Sequence, residues 1–410
     1  MTALVLAVFA ATYVGMALGR VPGLKLDRTG MALMAVAALM ATGAVDVAGI
    51  GRAIDAPTLV LLFALMILSA QFGAAGLYRL AARAVTRARV GAGGLLTLTV
   101  IVSGVLSAVL TNDVVCYAMA PLLIAGLKGR GLDPRPFLAA LAGASNAGSA
   151  ATLIGNPQNI LIGQTGGLDF VGFLAVCGPP AVLALAIVHL SVRLAWREAL
   201  AQPPAPVPAT EDRPAAAGRW QIAKGGIATV LILALFATPV PREIGALAIA
   251  ALLLASRRMA SREMIGAVDW HLLLLIACLF VVTAAFAATG VAAEGLAQLA
   301  GRGLGPERVV VLAPLALAAS NTIGNVPAVI LIVALWPGAP EGALYGLALL
   351  TTLAGNLLLT ESLANIIVAE RAAAAGVTMG FADFARAGVP MTLISMAAAA
   401  AWLRLGGWMG

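Results

Sequence analysis

SNAGSAATLIGNPQN, residues 145–159, decides how this chain folds. The chain has 410 residues, 61% of them hydrophobic and only 10% charged. Inside an apolar run, this stretch sets Ser145, Asn146, Ser149, Thr152, Asn156 and Asn159 around Gly155 and Pro157. A run of about 20 apolar residues crosses a bilayer core. Backbone that leaves helical geometry at that depth is tolerated only where protein or a water-filled cavity satisfies it. The stretch therefore reads as an unwound mid-membrane segment lining a site. Gly155 permits the turn, Pro157 removes a donor and blocks helix continuation, and Thr152, Asn156 and Asn159 supply ligand groups. The fold class that follows is an all-α polytopic membrane protein.

Working outward, the apolar pattern predicts crossing helices near 2–19, 29–45, 57–78, 136–165, 170–195, 220–238, 243–256, 270–292, 343–375 and 385–404. Two stretches, 93–127 and 308–336, are too long for one span and carry polar breaks midway, as re-entrant hairpins do. Residues 1–19 lack a basic start and read as a retained first helix rather than a signal peptide. The Pro/Ala-rich, mixed-charge segment 198–219 reads as a linker.

The linker separates two halves that match, 1–197 and 220–410. Residues 53–77 align without gaps to 267–291, pairing Asp55 with Asp269, Phe72 with Phe286 and Gly76 with Gly290. SAVLTN (107–112) then pairs with SNTIGN (320–325), and NILI (159–162) with NIIV (365–368). With one re-entrant hairpin each, both halves cross an odd number of times, so the second is inverted. Charge agrees. With both termini outside, only Arg52, Arg242, Arg302, Arg308 and Arg404 of the 25 Lys and Arg stay outside. The rest, linker included, fall on the cytoplasmic side, as the positive-inside rule requires for a plasma (inner) membrane protein. The net charge of +7 is thereby explained without nucleic acid.

Each half contributes two polar breaks: 107–113 and the quoted stretch in the first, 320–327 and 355–365 in the second. Broken helices present free N–H groups to anions at half-helix N-termini, and unwound carbonyls to Na⁺. No Lys or Arg lies in any of the four. The expected cargo is a small-molecule anion held by amides, hydroxyls and helix ends together with a co-bound cation.

These motifs resemble the ion transporter superfamily: divalent anion/sodium symporters, citrate transporters, arsenite permeases and a class of sodium/proton antiporters. SNAGSAATLIGNPQN is similar to its Gly-x-Pro-x-Asn unwound helix, SNTIGNVP and TND to its hairpin tips, and AGNLLLTESLANIIVAE to its second unwound helix. The resemblance covers nearly the whole chain. It implies two inverted repeats, each with a re-entrant hairpin and a discontinuous helix, a mobile transport unit on a scaffold, and a homodimer. By matched position it implies a site of Ser107, Asn112, Thr152, Gly155, Pro157 and Asn159 with Ser320, Asn321, Thr322, Asn325, Asn356, Ser362 and Asn365. Thr111, Asn156 and Thr360 extend it. The first hairpin departs from many symporters in reading Thr111-Asn112-Asp113.

An ionisable group at membrane depth is a functional candidate by default. Asp113 and Glu361 are therefore expected to handle Na⁺ or protons, with a transported Na⁺ near Asn112, Asp113 and Asn325. Asp55 and Asp269 read as helix N-caps, and Glu370 with Arg371 as a surface pair. His271 reads as structural, and Cys116 as apolar filler rather than a thiol for arsenic. The arginines at 79, 83, 87 and 89 read as an interfacial helix. Two separated histidines and three scattered cysteines give no metal, disulfide or nucleophile–base constellation, and no GxxxxGK[ST] occurs. The expectation is a cation-coupled secondary transporter without a cofactor, not an enzyme. Arsenite efflux and Na⁺/H⁺ antiport are the alternatives.

Overall fold

The computed structural model describes residues 1–18, 25–206, 218–236, 238, 240–256, 259–359 and 362–410. The described residues are all-helical. The first series runs α1 (Thr2–Leu18), α2 (Arg28–Ala41), α3 (Val47–Ala53), α4 (Ala56–Ala75), α5 (Leu77–Thr86), α6 (Ala92–Val109), α7 (Asn112–Lys128), α8 (Arg135–Ser149), α9 (Pro157–Thr165) and α10 (Phe170–Ala195). After α11 (Arg197–Ala201) comes α12 (Arg219–Leu235), α13 (Arg242–Leu254), α14 (Ser261–Gly266), α15 (Trp270–Ala287), α16 (Val291–Gly301), α17 (Val309–Ile323), α18 (Asn325–Leu335), α19 (Glu341–Ala354), α20 (Leu363–Ala374) and α21 (Phe381–Leu405).

The second series repeats the first helix for helix, from α1 with α12 to α10 with α21. Local chemistry repeats too. Asp55 caps α4 by accepting from Thr58 N at 3.3 Å, and Asp269 caps α15 by accepting from Leu272 N at 2.9 Å. Such caps satisfy backbone donors that a helix start leaves free. Packing is reciprocal: α2 lies on α15 while its counterpart α13 lies on α4, and α7 lies on α20 while α18 lies on α9. α10 packs on its own counterpart α21. Reciprocal pairs around a self-pair are what a two-fold relation between repeats produces.

Loop contacts sort the helix ends into two groups. At one end Lys128 Nζ donates to Ala375 O at 2.8 Å, Arg130 donates to the carbonyls of Thr86, Ala88 and Ala205, and Arg135 faces Asp383 at 3.8 Å. At the other, Arg242 donates to the carbonyls of Gly163 and Leu168, and Val309 N donates to Gly410 O. Hairpin α6–α7 starts and finishes at the first end. Hairpin α17–α18 starts beside Gly410, and Gly342, just after it, lies against Trp408. The two hairpins therefore enter from opposite ends, as inverted repeats require.

The long predicted spans 136–165 and 343–375 are each two helices, α8/α9 and α19/α20, with non-helical chain between them at 150–156 and, among the described residues, at 355–359 and 362. The short helices α3, α5, α14 and α16 escaped the span reading, because a one- to three-turn helix lacks the apolar length that marks a crossing. Arg20, Thr360, Glu361 and residues 207–217 of the linker lie outside the described residues.

Candidate functional site

Each broken helix is braced in the same way. In the first, Asn156 caps α9 by accepting from Asn159 N at 2.8 Å. Asn159 Nδ2 donates back to Ser149 O at 3.1 Å and Thr152 O at 3.0 Å. In the second, Asn365 Nδ2 donates to Gly355 O at 2.8 Å and Leu358 O at 3.0 Å. The carbonyls taken are ten and seven residues back in both cases. A side-chain amide thus replaces hydrogen bonds the helix gives up, where each buried orphan would cost about 1–3 kcal/mol.

Gly155 acts differently from the expected turn former. It is not among the glycines with positive φ. A Cβ there would meet Ser149 O at 2.3 Å, so the glycine permits close backbone approach. Pro157 starts α9, at a position where no amide donor is needed. The second hairpin tip does use a special conformation: Gly324 has φ +93°.

The two breaks are stitched together. Asn146 Oδ1 accepts from Asn112 Nδ2 at 3.0 Å and from Ser362 Oγ at 3.1 Å. Its Nδ2 donates to Asn356 Oδ1 at 2.8 Å and Asn365 Oδ1 at 3.3 Å. Thr352 is equivalent to Asn146 in the register that pairs Asn159 with Asn365. Its hydroxyl accepts from Asn156 Nδ2 at 3.2 Å and faces Asn159 Oδ1 at 3.4 Å. Each repeat therefore holds the other's broken helix.

The hairpin tips close onto this network. Asn112 N donates to Gly155 O at 3.1 Å and Thr152 Oγ1 to Ala108 O at 2.5 Å. On the other side Asn321 Nδ2 donates to Ala354 O at 3.1 Å. Four buried acceptor-capable oxygens there have no protein partner: Ser107 Oγ, Ser320 Oγ, Asn112 Oδ1 and Asn325 Oδ1. They are two symmetry-related pairs, one at each tip. Asn321 Oδ1 is a fifth.

Beside the first tip lies a cavity of about 570 Å³. Thr111, Asp113, Pro157, Tyr78, Glu263 and Asp269 are among its lining residues. Asp113 is half-buried, and Glu263 and Asp269 are exposed. Thr111 Oγ1 lies 3.2 Å from Ser69 Oγ. Among the described residues, no Lys or Arg lines this cavity and no protein group hydrogen-bonds the Asp113 carboxylate. Capping does not explain Asp113.

Most of the expected site therefore converges. Thr322 does not: it is exposed and its hydroxyl donates to Ala318 O of its own helix. Ser320, Asn321 and Thr322 lie in the last turn of α17 rather than in unwound chain, because the break narrows to Gly324. Asp269 is a cap, as expected, and also a cavity wall. Cys116 is buried and its Sγ donates to Ser145 Oγ at 3.1 Å. Arg371 stacks over the Tyr117 ring at 3.6 Å instead of pairing with Glu370. Asn146, Thr352 and Glu263 were missed. Asn146 stands in the opening stretch, but its reach into the other repeat has no sequence signal.

The citrate transporter family model matches residues 6–354. The chain belongs to that family. A relative in Mycobacterium tuberculosis, an uncharacterized transporter, is 32% identical over 99% of both chains. The silicon efflux transporter LSI3 of Oryza sativa subsp. japonica is 32% identical over 43% of this chain and 37% of its own. Among solved structures, the YdaH transporter of Alcanivorax borkumensis matches with a TM-score of 0.60 and 17% identity, covering 98% of this chain and 97% of that one. This member of the citrate transporter family is an integral membrane protein with the fold of an inverted-repeat transporter.

Proposed function

We propose that the chain is a secondary transporter that couples movement of a small anion, a carboxylate or inorganic oxyanion, to Na⁺ or H⁺ by alternating access. The observation that carries this reading is the pair of symmetry-related orphaned oxygen sets, Ser107 with Asn112 and Ser320 with Asn325. Buried oxygens without donors are costly unless something fills the demand. A hard cation does so, since its ligands are oxygens. A cation held there offsets the charge of an anionic cargo that no basic residue of the four breaks neutralises. In this reading Asp113 passes the coupling ion between cavity and hairpin tip, no cofactor takes part, and the unit works as a homodimer in the plasma membrane.

One observation favours a second reading. Carboxylates of Asp113, Glu263 and Asp269 in the cavity lining repel an anion. Export of an undissociated oxyacid, arsenite included, in exchange for a cation suits that lining. The silicon efflux named for the rice relative supports it.

The test is flux into proteoliposomes of purified protein. Dicarboxylate, citrate, sulfate, arsenite and silicic acid are offered in turn under a Na⁺ gradient, then under a pH gradient. Uptake with one anion and one cation gradient carries the first reading, and exchange of a neutral oxyacid against the cation carries the second. Ser107→Ala and Ser320→Ala should each raise the cation concentration needed for half-maximal flux. Unchanged cation dependence in both variants would remove the orphaned oxygens from the mechanism.

A further inference from the structure

The arginines on and after α5 are not used by the transport site. Arg79, Arg83 and Arg87 recur every fourth residue and share one helix stripe, with Arg89 just beyond. The adjoining face, Tyr78, Ala82, Val85 and Thr86, is buried. Arg79, Arg87 and Arg89 are exposed, as are the apolar Leu80 and Val90 beside them. A short helix with a buried face, a cationic stripe and exposed apolar residues at its side suits the boundary between headgroups and acyl chains.

The repeat supplies an internal control. α16 is the counterpart of α5 at the opposite end of the molecule. Residues 291–308, the matching segment, hold Glu294 and Glu307 against Arg302 and Arg308, so their charges cancel. Residues 77–90 hold four arginines and no acid. The architecture alone does not require the basic stripe, because the same architectural position works without it. The stripe answers to what lies at one membrane face only.

We infer that the exposed face of α5 binds the headgroups of anionic phospholipid, and that this contact acts on the first hairpin. α5 packs directly on α7. Gly126 of α7 lies so close that a Cβ there would meet Thr86 at 2.6 Å. Arg130, which follows α7 and is buried, donates to Thr86 O at 3.0 Å and Ala88 O at 2.9 Å. α5 and the hairpin that carries Asp113 are therefore packed together as one piece. Lipid gripping the arginine stripe holds that piece against the charged leaflet.

The experiment places a reporter in the stripe. Leu80→Trp protein is reconstituted in phosphatidylcholine vesicles containing either brominated phosphatidylglycerol or brominated phosphatidylcholine at equal mole fraction. Quenching is read as the difference from parent protein. Stronger quenching by the anionic lipid, lost on adding Arg79→Gln, Arg87→Gln and Arg89→Gln together, is the expected result. Raising salt on the Leu80→Trp protein alone should remove the preference in the same way, because exposed charges are screened over about 8 Å at physiological salt. This arm needs no arginine variant to fold. Equal quenching by both lipids, or a preference that survives high salt, overturns the inference.

Discussion

Asn146→Ala is the substitution that bears hardest on the central network. The side chain takes part in four hydrogen bonds, with Asn112, Ser362, Asn356 and Asn365. Truncation leaves the Nδ2 of Asn112, the hydroxyl of Ser362 and the Oδ1 atoms of Asn356 and Asn365 short of a partner in a buried region. At about 1–3 kcal/mol per buried orphan, four orphans sum to several kcal/mol. A water entering the vacated space recovers part of this, leaving about 2–5 kcal/mol on the same scale. The loss falls on the contact between repeats, so the two broken helices should separate before either repeat melts. The assay is thermal unfolding in detergent followed by size-exclusion, with flux measured in vesicles at a temperature where the variant is still folded. Lower thermal stability together with lost flux is expected. A double-mutant cycle with Asn356→Ala should show the two changes sharing part of their cost, as contacting residues do. Wild-type stability and flux in Asn146→Ala would refute the idea that this residue joins the halves.

Three further outcomes are expected. Gly155→Ala drives a Cβ to within 2.3 Å of Ser149 O, so the brace must shift; overpacking of this kind costs about 1–3 kcal/mol, read as a lowered unfolding temperature and reduced flux. Asp113→Asn keeps shape but removes charge, and should abolish or uncouple transport while the size-exclusion profile stays wild-type; unchanged flux with unchanged cation dependence takes Asp113 out of the mechanism. Cysteines introduced at 202–206 should react with impermeant maleimide only from the cytoplasm, and labelling from the outside would reverse the assigned orientation.

The sequence carried the repeat well, because polar residues in apolar helices are few and their register is conspicuous. Asn159 and Asn365 aligned on sequence alone, and in the structure each donates to the carbonyls ten and seven residues back. The hairpin tips were legible for the same reason: Ser107 with Ser320 and Asn112 with Asn325 are matched polar residues. What stayed hidden were contacts between repeats. Asn146 and Thr352 occupy equivalent positions but differ in chemistry, so no alignment joins them. Glu263 lies on a short helix whose approach to the first hairpin depends on the reciprocal packing. Thr322 was over-read, since a motif position does not say which side of its helix a residue takes.

The reciprocal packing also governs how the chain can be made. α2 and α4 find their partners, α15 and α13, only after roughly two hundred more residues have been synthesised, tens of seconds at ordinary translation speeds. Until then the first half sits in the bilayer with its break braced only from within, and Asn146 waits for the partners that Asn356, Ser362 and Asn365 will bring. Neither half is a finished object by itself. A chain interrupted in its linker should be rescued by supplying the missing half as a separate polypeptide, and the cell's quality control has a long interval in which to act on a nascent product that is inserted but not yet assembled.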